Sequence, residues 1–195
     1  MTTSDYLYWI SRIFFAIVFL WLGVIAFRNR SIPINKSWWL FLVYIGEWII
    51  EISFRAYFSY TAALAADKVN GYSLEVFRIY LLPNLQKLLE RQAMMILIAG
   101  VVWFLLAVYA RRTHEEKLDL ADVNVFTFGV LVSGWPNFFI YLGLVFIFSA
   151  LFLATALAIK KMQRMTVTPF FALAGIVILF WGWQISHFVG LYALR

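Results

Sequence analysis

From position 123 to position 159 the chain carries no Asp, Glu, Lys or Arg, 37 consecutive residues without a charge. As one straight helix such a run would reach about 55 Å, against a hydrocarbon core of ~30 Å. A water-soluble core cannot absorb it, and the remainder of the chain offers no relief. Of 195 residues, 64% are hydrophobic and 13% are charged, whereas a soluble domain is nearer half apolar and a quarter charged. Lipid must cover the excess. The expected fold class is therefore all-α: a polytopic integral membrane protein, one helical domain over residues 1–195. About five transmembrane helices and one amphipathic interfacial helix account for its length.

The spans are expected at residues 6–27, 38–62, 92–110, 137–159 and 169–194. The first apolar run lacks a basic flank and a small-residue cleavage site, so it is expected to be retained as a span. Arg12 lies close enough to its end to snorkel. Residues 72–91 differ in kind. Leu74, Phe77, Leu81, Leu85 and Leu88 recur at helical spacing, with Glu75, Arg78, Gln86, Glu90 and Arg91 on other faces. That pattern predicts an amphipathic helix in the membrane interface, divided or kinked at Pro83. The segment RRTHEEKLDLADVN at 111–124 reads as a solvated connection.

The uncharged run has its natural break at Ser133-Gly134-Trp135-Pro136. Residues 137–159 then make the crossing, and 125–133 become a short re-entrant or interfacial piece. With five crossings, Lys and Arg divide evenly, seven on each side of the membrane. Were 123–159 to cross twice, the three most compact basic loops would share a side, nine against five. The shortness of the first half favours five crossings. The weight of the first span places the N-terminus outside and the 28–37 loop in the cytoplasm, in a bacterial inner membrane.

Charge inside the apolar stretch 37–66 supplies the chief candidate site. Glu47, Glu51 and Arg55 are spaced i, i+4, i+8, which puts all three on one helix face. Glu51 lies near the middle of the stretch, where a charge costs at least ~2.5–3.5 kcal/mol and must face protein or water. Glu51 and Arg55 can pair within the helix, which leaves Glu47 in need of a proton, a cation or a polar cavity. His187, in WGWQISHFVG, is the one histidine placed to face these carboxylates. His114 beside Glu115 and Glu116 lacks the spacing of a metal motif.

No metal, cofactor or catalytic site is expected. The chain has no cysteine and no HExxH, glycine-rich phosphate loop or serine nucleophile motif. The net charge of +6 comes from Lys and Arg beside apolar runs, which points to anionic membrane lipids rather than nucleic acid. Two sets of small residues carry packing signals: Gly182, Ser186 and Gly190, and Ala150, Ala154 and Ala158, each at i, i+4, i+8. Such faces admit a neighbouring helix closely. The function these features favour is a non-enzymatic integral membrane subunit that packs with other membrane subunits or with copies of itself. The alternative is a small homo-oligomeric channel or proton-coupled transporter that uses the intramembrane carboxylates.

Overall fold

The computed structural model describes residues 3–27, 37–70, 82–113, 118–158 and 167–191. These form six helices: α1 (Thr3–Phe27), α2 (Trp39–Asn70), α3 (Leu82–Arg112), α4 (Leu120–Ser133), α5 (Phe138–Ala158) and α6 (Thr168–Phe188). No strand occurs among the described residues. Four helices are long and apolar enough to cross a membrane, over Tyr8–Ala26, Leu85–Arg112, Phe138–Thr155 and Thr168–Phe188. Their outward side chains include Ile17, Leu97, Phe104 and Phe146, all exposed. A continuous surface of this kind is stable only against lipid. The chain is an all-α polytopic membrane protein.

Side-chain contacts fix how the helices run. Trp21 meets Trp39, and Phe15 meets Tyr44, so α1 and α2 are antiparallel. Trp38 on Trp103 and Tyr44 on Gln92 set α2 against α3 in the same way. Phe126 on Tyr141 makes α4 and α5 an antiparallel hairpin, and Phe152 on Phe170 does so for α5 and α6. The bundle is thus up-and-down throughout.

The middle of this bundle is α4. It is buried along 11 of its 14 residues and packs on α2, α3, α5 and α6. Asp119 caps its start by accepting from the Ala121 amide at 3.2 Å. Gly134, with φ 68°, ends it, and residues 135–137 turn the chain into α5. A side chain would strain that left-handed position, which glycine adopts freely. Phe128 of α4 lies between Phe15 and Phe19 of α1, at 5.8 and 5.3 Å between ring centres. Lipid gives helices no hydrophobic reason to meet, so such shape-matched contacts must hold the bundle. The most extensive contact joins α1 to α6. There Gly175 admits the Phe19 ring: a methyl at Gly175 would stand 2.6 Å from its tip.

Residues 125–133, expected as a re-entrant or interfacial piece, form most of α4, a helix of about 21 Å that lies in the interior of the bundle and makes an antiparallel hairpin with α5. Two expectations need correction. Residues 82–91, expected as the second half of an interfacial helix, are the opening turns of α3. Pro83 sits in its first turn, where its missing amide donor costs nothing. The first half, 72–81, lies outside the described residues. Finally, α6 ends at Phe188, and Gly190 stands beyond it with φ 79°. It is no part of a helical stripe.

Candidate functional site

The face of α2 that carries Glu47, Glu51 and Arg55 looks into a chamber of about 510 Å³. Its walls come from the first turns of α1 (Tyr8, Ser11, Arg12), from α2, and from the start of α3 (Leu88, Arg91, Gln92). Its floor comes from the end of α4 and the last turns of α6. The chamber exists because the backbones of α2 and α3 stay apart. These helices meet chiefly through long side chains, such as Tyr44, whose hydroxyl donates to Gln92 Oε1 at 2.5 Å.

Within it, Arg55 donates to Glu51 Oε1 twice, from Nε at 2.9 Å and from Nη2 at 2.6 Å. The pair is half-exposed, so it contributes on the order of 1 kcal/mol or less. Its main consequence is to commit Arg55. Glu47, one turn earlier, faces Ser11 across the chamber. Arg12 lies over the Tyr8 ring, 3.8 Å from its centre, which shields the guanidinium with an aromatic face. Arg91 is exposed near the opening. Beneath the charges the floor is closed by Phe15, Met95, Leu131 and Leu179, all buried.

The chamber lies at one end of the bundle rather than at its middle. Trp39, the first residue of α2, is level with Trp21, well inside α1. Glu47 is level with Ser11, near the start of the Tyr8–Ala26 span. Glu51 and Arg55 lie about 6 and 12 Å further out along α2. The midpoint of an apolar stretch is thus not the midpoint of the bundle. Charges toward the end of a membrane bundle stand nearer to water and headgroups than charges at its middle, which lowers the cost of keeping them ionised.

His187 does not line the chamber. It is exposed one turn beyond Trp183, which does line it. Of the packing residues, Gly182 and Ser186 are buried on α6, and a methyl at Gly182 would come 3.7 Å from Asn137 Nδ2 of the α4–α5 turn. Ala150 and Ala154 are exposed on α5, and the side chain of Ala158 lies outside the described residues, as do residues 114–117. Ser11, Arg12, Tyr44, Arg91 and Gln92 join the site without a motif to single them out. A sequence signal exists for two of them: Arg12 is a charge inside an apolar run, and Gln92 an amide at the start of one.

A second polar cluster occupies the other end of α4. Asn124 accepts from the Trp103 indole N–H at 2.8 Å and donates to Ser37 Oγ at 2.6 Å. Asp122 accepts from the Thr168 hydroxyl. All but Trp103 are buried. The expectation of a solvated connection fails at Asp122 and Asn124. They are instead the ties by which α4 holds α2, α3 and α6.

No protein-family model, characterised protein or solved structure matches this chain.

Proposed function

We propose that the protein binds a small charged solute in the chamber at the N-terminal end of its bundle, as an ion-coupled transporter or receptor for that solute. The observation that carries this reading is the chamber itself. A membrane bundle whose outer surface is apolar keeps two carboxylates and three guanidinium groups around one open cavity. Intramembrane charge is costly and is generally retained for function. The antiparallel hairpin of α4 and α5 also bears on the charge bias. The links from α1 to α2, α3 to α4 and α5 to α6 start from one end of the bundle and, with Arg111 and Arg112 at the end of α3, carry nine Lys and Arg, against seven in the rest of the chain, Arg12 and Arg55 of the chamber included. Under the positive-inside rule that end is cytoplasmic. The N-terminus and the chamber mouth then face outward across a cytoplasmic membrane.

The chain has no cysteine, so Ser11→Cys provides a single label site within the chamber. A membrane-impermeant maleimide added to intact cells is expected to label it, and prior treatment with a permeant thiol blocker to abolish the signal. Labelling only after the cells are opened would refute the outward-facing chamber.

A second reading, that of a non-enzymatic subunit of a larger membrane assembly, draws on α5. Ala150 and Ala154 are exposed there between Phe146, Ile147, Leu151 and Leu153, a shallow strip that suits a neighbouring helix. The partner would be another membrane subunit or a second copy. The detergent-purified particle is then expected to exceed the mass of one chain, and Ala150→Leu to reduce it. A monomeric wild-type particle would sink this reading.

A further inference from the structure

We infer that the ion coupled to solute binding in the chamber is a proton, and that Glu47 is the carboxyl that takes it up and releases it. This inference rests on the solute-binding reading above and names its ion.

Two carboxyl groups line the chamber, one helical turn apart on α2, and the bundle treats them differently. Glu51 accepts twice from Arg55, at 2.9 and 2.6 Å. A guanidinium held so close keeps a carboxylate ionised. Glu47 makes no ion pair among the described residues. It is also the innermost of the three α2 charges. Tyr44, one turn before it, is buried, and no α2 residue from Ile45 to Thr61 is. Glu47 thus stands where α2 leaves the packed interior, above an apolar floor. There a carboxylate without a cation of its own is costly, and a second negative charge one turn from Glu51 adds to the cost. A proton removes that charge without moving a helix. Since Glu47 is half-buried and lines an open chamber, water has access to return the proton and to take it away.

The remaining charged and titratable groups of the lining are poor carriers. Tyr8 and Arg12 come from α1, with the guanidinium over the ring. Tyr44 comes from α2, its hydroxyl donating to Gln92, and the exposed Arg91 from α3. The lining contributed by α4, α6 and the α4–α5 turn holds no titratable side chain. Arginine keeps its proton in proteins, and tyrosine ordinarily gives up its own only near pH ~10. Glu47 and Glu51 are therefore the lining groups suited to exchange a proton near neutrality, and Arg55 withdraws Glu51. A divalent cation would ask for several anionic ligands, and no group of three His, Cys, Asp or Glu able to hold a metal occurs among the described residues.

The test uses the full-length purified protein in detergent and dicyclohexylcarbodiimide, which adds to a protonated carboxyl in an apolar setting and leaves a stable N-acylurea. Peptide mass spectrometry locates the adduct. Glu47 is expected to react about tenfold more than Glu51, as a tenfold difference in protonated fraction dictates. Its reaction should fall as the pH rises, toward about tenfold per pH unit once most of the carboxyl is ionised. Exchanging potassium chloride for sodium chloride should leave the reaction unchanged, and Glu47→Gln should abolish the adduct in the intact protein. No adduct at Glu47 at any pH overturns the inference, as does equal reaction at Glu51. A rate that ignores pH overturns it too, because such a carboxyl is sealed from the aqueous phase. Protection by sodium assigns the site to a metal cation and overturns the proton. The wild-type protein carries each of these arms, so the inference stays testable if Glu47→Gln fails to fold. If Glu47 fails the test while Ser11→Cys labels readily, the chamber reading survives and only its ion is wrong. If the thiol of the Ser11→Cys variant is also unreactive, both fail.

Discussion

Replacing Gly129 by alanine is expected to destabilise the protein by about 1–2 kcal/mol, although alanine is the better helix former. The two effects oppose each other and their sizes decide the sign. Within a helix, glycine to alanine gains about 1 kcal/mol from backbone propensity. At Gly129, however, the added methyl would overlap the Tyr141 ring and its hydroxyl oxygen. Tyr141 is fully buried, so the ring has no room to swing aside, and overpacking of this kind costs ~1–3 kcal/mol or more. In thermal unfolding of the detergent-purified protein the variant should melt lower by about 5 °C. Gly100→Ala is the control, because nothing lies within 4 Å of its new methyl; it should be neutral or stabilising. The hydroxyl of Tyr141 finds no hydrogen-bond partner among the described residues. Tyr141→Phe should therefore cost nothing alone and should restore part of the loss in the Gly129→Ala background. Additive effects of the two changes would show that ring and glycine are not in contact.

That contact also marks the limit of what the chain discloses in one dimension. Long apolar runs ending in Lys and Arg make α1, α3, α5 and α6 legible, because lipid imposes length and polarity directly on sequence. The Glu51–Arg55 pair is legible because spacing of four places both on one helix face. Gly129 and Gly175 are not, since a single glycine in an apolar run looks the same whether it meets an aromatic ring or lipid. The depth of Glu47 is not legible either. It depends on where α2 begins relative to α1, and that offset is set by Trp21 meeting Trp39, two residues far apart in the chain. Arg91 reads in sequence as the end of an interfacial helix and Gln92 as the first residue of a separate span. In α3 they hold the wall of the chamber, because the helix runs on unbroken from Leu82.

The sharpest departure from sequence, the burial of Asp122 and Asn124, leads to the second large effect. Polar residues beside a charged segment normally belong to water; here they enter a helix that other helices enclose. Asn124 is 2% exposed and bonds at once to Ser37, just before α2, and to Trp103 on α3. Asn124→Leu is expected to cost about 2–4 kcal/mol and to lower the melting temperature on the order of 10 °C. Lost bond energy is the smaller part, since hydrogen bonds between membrane helices average only ~0.6 kcal/mol. The larger part is what remains: the half-buried Trp103 indole N–H and the buried Ser37 oxygen lose their shared partner, and a polar group left unmatched away from water costs ~1–3 kcal/mol. The two contributions separate experimentally. If stranding dominates, the triple variant Asn124→Leu, Ser37→Ala, Trp103→Phe should recover much of the stability lost in Asn124→Leu, despite removing more native groups. If the bonds themselves hold α2 and α3 to α4, the triple variant should melt no higher than the single one, and the attribution of the loss to stranded polar groups would have to be abandoned.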